Sequence, residues 1–257
     1  MMPRLSRVAE ALLGTIPILG LLVLWQGIVM SGIVPMSLLP SPSAVFARLF
    51  QQFGSYAFLE NAFATLYRLF TGFAIAVSAG VTLGIVATGS KLFASIIKPI
   101  VRILAPVPKI ALYPALTLTL GFDGASKIAL VIADAMFPIL LATYQGASAV
   151  ESKLAWSARA AGASPFRTLF AVVLPAALPS VLTGCRIGLI ISCIVVFLAE
   201  MITSTDGLGH LLMRAARNFQ TVDMFVPLIV ISLLGLTLNA GFNAIRRRLL
   251  RGFPEEK

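Results

Sequence analysis

Charge is what this 257-residue chain has least of: Asp, Glu, Lys and Arg make up 12% of it, while 58% is hydrophobic. A soluble globular domain carries about twice that charged share. With a mean hydropathy of +0.96, too little polar material is left to clothe a water-soluble fold of this size. The chain therefore reads as an integral membrane protein. The same numbers exclude disorder, collagen, a coiled coil and a disulfide-stapled secreted domain.

Histidine and cysteine are scarcer still. His210 is the only histidine and has no Cys near it, so neither a structural nor a catalytic metal site finds support. Cys185 and Cys193 lie in one apolar run, about 12 Å apart along a helix and too far to bridge. Acidic residues number ten against twenty Lys and Arg, a formal charge of +10. No basic patch interleaved with aromatics accompanies that excess, which argues against nucleic acid. It fits the Lys and Arg that gather at the cytoplasmic ends of membrane helices.

What is present is apolar runs. Arg4 and Arg7 precede one over residues 11–34, too long for a signal peptide and without a convincing cleavage site. Further spans are expected over 61–88, 92–122, 126–146, 175–200 and 222–245, six in all, with both termini cytoplasmic. Ser41-Pro42 can open a short interfacial helix as N-cap and first-turn proline. In the second span Gly72, Ala76, Gly80 and Gly84 recur every four residues, a smooth groove for close helix approach in lipid. The 92–122 segment is broken by Pro99, Pro106, Pro108 and Pro114, which suits backbone buried in protein or lining a wet cavity. Basic residues test the orientation. Arg4, Arg7, Lys91, Lys153, Arg159, Arg167, Arg246, Arg247, Arg248, Arg251 and Lys257 fall inside, and Arg48, Lys127, Arg214 and Arg217 outside, as the positive-inside rule requires. One domain suffices, and no internal repeat is visible.

The longest cytoplasmic stretch, 151–171, is the most informative. Leu154 to Ala161 favours a short helix, and Gly162 is placed to end it. Ser164-Pro165 then starts a second helix. Trp156, Ser157, Ala158, Arg159, Ala160, Ala161, Gly162, Ala163 and Ser164 thus make an elbow suited to a groove on a partner protein. Ala158, Gly162, Val172, Leu174 and Pro175 match the spacing of the EAA loop of bacterial ABC-transporter permeases, with Trp156 and Ser157 where that pattern has Glu and its first Ala. Leu39-Pro40-Ser41-Pro42, Thr65 to Arg68, Pro106-Val107-Pro108, Ser126-Lys127-Ile128, Leu182 to Arg186, Ala199-Glu200-Met201 and Gly207-Leu208-Gly209 extend the likeness over nearly the whole chain. In their order and spacing they resemble the nitrate, sulfonate, taurine and bicarbonate import branch.

The resemblance implies an all-α permease of six transmembrane helices with the type I importer (MetI-like) fold, in the bacterial inner (plasma) membrane. It implies a homodimer on two cytoplasmic ATP-binding subunits, fed by a periplasmic or lipid-anchored solute-binding protein. No G-x-x-x-x-G-K-[ST] occurs, and Gly89-Ser90-Lys91 lacks its spacing. No cofactor is expected in this chain, and ATP with magnesium belongs to the partner subunits. The chain itself is expected to be non-catalytic. The third to fifth spans would line the path of a small, anionic solute. A secondary transporter or channel would predict inverted repeats, which are not found, and a membrane enzyme would need converging Asp, His or Ser groups.

Five of the charges within the spans, Arg68, Lys109, Asp134, Arg186 and Glu200, stand out. Arg68 and Asp134 enter from the same side to equal depth, about 10–12 Å, so a structural Arg68–Asp134 bridge is expected, with Glu200 the rival partner of Arg68. Arg186 fits attraction of an anion in the path or bracing of helices against carbonyls and Glu200, and bracing is the preferred reading. Lys109 fits either bracing or attraction of an anion in the path.

Overall fold

The computed structural model describes residues 7–251 and 253. Among these every regular element is helical: α1 (Arg7–Met30), α2 (Pro42–Phe53), α3 (Tyr56–Gly89), α4 (Lys91–Leu104), α5 (Tyr113–Leu120), α6 (Gly124–Ser148), α7 (Ser152–Ala160), α8 (Pro165–Thr168), α9 (Leu174–Ala176), α10 (Leu178–Thr203), α11 (Leu208–Arg217) and α12 (Thr221–Leu249). Two compact units divide the chain, Met1–Glu60 with Leu211–Val230, and Asn61–His210 with Ile231–Lys257.

Helices α3, α6, α10 and α12 are each long and apolar enough to cross a membrane. At 34 residues, α3 is about 51 Å long, well beyond a hydrocarbon core of about 30 Å. The 92–122 segment is not one straight crossing. It bends by 87° between Leu104 and Lys109, where Pro106 and Pro108 remove two N–H donors from the helical ladder. Between the expected spans 175–200 and 222–245, where Arg214 and Arg217 were counted as external, the chain forms α11. Its Leu208, Leu212 and Ala215 are buried while Arg214 and Arg217 face outward, the three-and-four spacing of an amphipathic helix.

In the larger unit α6 is the axis. Gly72, Gly80 and Gly84 of α3 meet Val131, Ile139 and Thr143 of α6, with partner numbers rising together, so the two helices run parallel. A Cβ on these glycines would lie 2.6, 2.9 and 2.7 Å from those side chains. On the other side Gly184 and Gly188 of α10 meet Ala142 and Ile139, each at 2.7 Å, in antiparallel order. Small residues thus let three backbones close up where lipid supplies no hydrophobic force between helices. Two buried clusters fill the triple contact, one around Leu69, Leu130 and Val196, the other around Ala76, Ile139 and Cys185. Cys185 and Cys193 are free and buried.

In the smaller unit α2 begins as its sequence requires, Ser41 Oγ accepting the Ala44 N–H at 3.3 Å ahead of Pro42. Asp223, in the first turn of α12, receives Arg48 Nε at 2.6 Å and Nη2 at 3.3 Å and Gln52 Nε2 at 3.0 Å. Trp25 and Phe225 stack at 5.5 Å between centroids, so α1, α2 and the start of α12 hold together as one group.

Candidate functional site

The elbow forms by local rules. Helix α7 ends in a Schellman turn: Gly162 N–H donates to Arg159 O at 2.9 Å and Ala163 N–H to Ala158 O at 3.0 Å. That turn needs a left-handed residue, and Gly162 has φ +86°. Ser164 then caps α8, its Oγ accepting the Arg167 N–H at 3.2 Å, with Pro165 in the first position. After α8 the chain makes a π turn over Leu169–Val173 before α9.

Two aromatic rings are left outside. Trp156 is 66% exposed and Phe166 70%, and no buried residue lies on α7. On the other side the elbow is stitched to the membrane helices. A Cβ on Gly89, at the end of α3, would collide with the Leu169 side chain, so that residue sits directly against the α3 backbone. A cavity of about 230 Å³ beside this contact is lined by Thr88, Gly89, Glu151, Trp156, Arg159 and Leu169. The elbow is therefore a projection that exposes two aromatic rings among polar and basic side chains and makes a hard contact to α3.

The charges pair differently from expectation. Arg68 does not meet Asp134. Its Nη1 contacts Glu200 Oε1 at 2.8 Å and its Nη2 contacts Asp206 Oδ1 at 2.5 Å. Equal depth along two helices leaves the direction around each axis open, and Val131, Ile139 and Thr143 are what α6 turns toward α3. Asp134 faces Lys109 instead, Nζ to Oδ1 at 3.2 Å. Lys109 Nζ also donates to Ala105 O and Val107 O, both at 3.3 Å, and lies 4.7 Å from the Phe137 centroid. The kinked segment thus holds its own lysine, buried and neutralised.

Arg186 donates from Nε to Asn239 Oδ1 at 2.9 Å, which braces α10 against α12. Glu200 is not its partner. The two lie fourteen positions apart on α10, about 21 Å of rise.

Around Glu200 the structure adds residues that sequence reasoning passed over. Thr65 Oγ1 donates to Glu200 Oε2 at 2.8 Å and accepts the Leu208 N–H at 2.9 Å. Gly209 N–H donates to Glu200 Oε2 at 3.2 Å and Gly207 N–H to Asn61 Oδ1 at 2.7 Å. Gly207 has φ +100°, and a Cβ there would strike the Glu200 carboxylate, so this turn admits no larger residue. Lys127, counted above among external loop cations, is fully buried. Its Nζ donates to Phe122 O at 2.5 Å and Asp123 O at 3.0 Å, within electrostatic range of Arg68, Asp206 and Glu200. Two cations and two carboxylates therefore balance in one knot that ties the 204–209 turn to α3 and α10. Burial alone would raise the Asp206 carboxyl, but the hydrogen bond and charge of Arg68, with help from Ser204 and Lys127, hold it below the usual aspartate value. The signal for this knot was present as Thr65 to Arg68, Ser126-Lys127 and Gly207-Leu208-Gly209.

Residues 80–253 match the family described as the binding-protein-dependent transport system inner membrane component. The chain is 30% identical over 231 residues to the putative aliphatic sulfonates transport permease protein SsuC of Bacillus subtilis, covering 90% of this chain and 84% of that protein. It is likewise 30% identical over 250 residues to the taurine transport system permease protein TauC of Escherichia coli, covering 95% and 90%. Among solved structures it is similar to the inward-facing MetNI methionine ABC transporter, with a TM-score of 0.66 at 19% identity, covering 76% of this chain and 96% of that one.

Proposed function

Since the chain belongs to the family of binding-protein-dependent transport system inner membrane components, we propose that its α7–α8 elbow is the point at which a separate ATPase drives it. The chain is the permease subunit of an ATP-driven ABC importer, an inner-membrane component with ATPase and binding-protein partners, and it is not itself an enzyme. Beyond that class, the reading is a homodimer on two ATP-binding subunits that hold the ATP and magnesium, with both termini cytoplasmic. The cargo is a small anion of the sulfonate type, by analogy with the sulfonate and taurine permeases it is similar to. Lys109 and Arg186 act in this reading as braces, because each already has a protein partner. Arg68, Asp134 and Glu200 are structural charges.

A single observation carries the coupling assignment. Trp156 and Phe166 stand exposed on an elbow whose inner residue, Leu169, presses on the α3 backbone. An aromatic anchor of this kind dominates an interface, and truncating one commonly costs about thirtyfold in affinity or more. Trp156→Ala is expected to lose co-purification with the ATPase subunit by about that factor, while membrane insertion and Phe166 exposure are kept. Wild-type co-purification and uptake in Trp156→Ala combined with Phe166→Ala would overturn the assignment.

A further inference from the structure

In the smaller unit a hollow of about 140 Å³ is lined by Arg48, Gln52, Phe58, Arg214, Gln220 and Asp223, among others. Its charges do not cancel. Asp223 spends both carboxylate oxygens on Arg48, so that pair is internally neutral. Arg214 is left over: among the described residues it makes no ion pair and no side-chain hydrogen bond. It stands in the last turn of α11, where the negative end of the helix dipole favours a cation.

The turn after α11 helps shape the hollow. Phe219 takes φ +55°, and Gln220 N–H reaches back to Ala215 O at 2.9 Å while Phe219 N–H reaches Ala216 O at 3.2 Å. This is a Schellman closure with an aromatic residue in the position glycine normally fills. It turns the chain back sharply enough for Gln220 to line the hollow beside Arg214. Leu211, half-buried among the lining residues, contributes an apolar edge, whereas Phe58 is only 2% exposed.

We propose that this hollow is a binding site for one small oxyanion with a short apolar substituent, a sulfonate or its like, held by the Arg214 guanidinium. The guanidinium fork presents paired N–H donors that match two oxygens of a tetrahedral anion. Gln52 and Gln220 offer neutral polar edges, and half-buried Leu211 receives the substituent. The volume is ample for such a group, since one water needs only about 10–15 Å³. The site's place on the outer face, where it would receive solute before the path opens, rests on the orientation proposed above. The binding itself does not.

The test is equilibrium dialysis of radiolabelled methanesulfonate against the full chain in phosphatidylcholine nanodiscs, with no ATPase or binding protein present. Failure of the coupling reading would leave this measurement untouched. Saturable binding at one site per chain is expected, weakened about tenfold to a hundredfold in Arg214→Gln and less in Arg214→Lys, which keeps the charge but loses the fork. Arg214 is exposed and unpaired, so neither variant threatens folding. No saturable binding, or wild-type binding in Arg214→Gln, would overturn the site. A repeat with phosphatidylglycerol in the discs identifies the oxyanion's source. Displacement of methanesulfonate assigns the guanidinium to a headgroup phosphate and retention assigns it to a soluble anion, and both outcomes support the oxyanion site.

Discussion

Arg68 and Glu200 show what one buried pair demands of its surroundings. Neither carboxylate oxygen of Glu200 is left bare: Arg68 takes one, and Thr65 and the Gly209 N–H share the other. Such a pair is tolerated because its hydrogen bonds are complete, and removing one member strands the other. Asp206 differs, since its side chain is 47% exposed and it can be titrated from solvent. Its carboxyl is held below the ordinary value of about 3.9. A depressed carboxyl contributes stability in full above that ordinary value and loses it as the pH falls toward the folded one. Wild type should therefore melt higher than Asp206→Asn at neutral pH, and the gap should close below about pH 4. Thermal unfolding followed at several pH values checks this, and a gap independent of pH would remove Asp206 from the knot. The sequence offered Glu200 only as the rival of Asp134 for Arg68, because helical rise gives depth and says nothing of direction around the axis.

Helices here are joined through what their glycines lack. The repeat of Gly72, Ala76, Gly80 and Gly84 was legible as a groove, but its occupant was not, since any span could have supplied it. The structure fills it with α6, in parallel register. A Cβ on Gly80 would lie 2.9 Å from Ile139 Cγ2 and 3.0 Å from the Met136 carbonyl oxygen. A side chain can yield, but a helix backbone oxygen moves only if the whole helix shifts. Gly80→Ala should thus destabilise by about 1–3 kcal/mol, the usual range for overpacking. Gly235→Ala, with nothing within 4 Å, should cost nothing from packing. Denaturant melts of both variants in one detergent would compare them, and equal midpoints would deny the tight contact. The elbow was legible almost entirely because its signals are local: Gly162 for the left-handed turn, Ser164-Pro165 for the next start. Helix α11 was missed although Leu208, Leu212 and Ala215 have helical spacing, since Asp206-Gly207 and the arginines drew the segment toward a loop.

For the molecule as an importer subunit, the coupling proposed above requires that a push on the elbow reach helices that span the bilayer. The elbow's exposed rings, Trp156 and Phe166, and its contact to α3, Leu169, are different residues of one short unit pinned by Gly162 and Ser164. Grip and transmission are therefore separable. Leu169 packs on the end of α3 at Gly89, and α3 carries on through the α6 groove to Arg68 and the 204–209 turn. Leu169→Ala should leave ATPase binding intact, because the exposed aromatic pair is untouched. It should open a gap at Gly89 and cost about 2–3 kcal/mol of local packing, so that elbow motion is lost in slack before it moves α3. The expected result in proteoliposomes is near-normal ATP hydrolysis with solute uptake per ATP reduced several-fold, whereas a parallel fall in both would place Leu169 in the grip and leave transmission to other contacts.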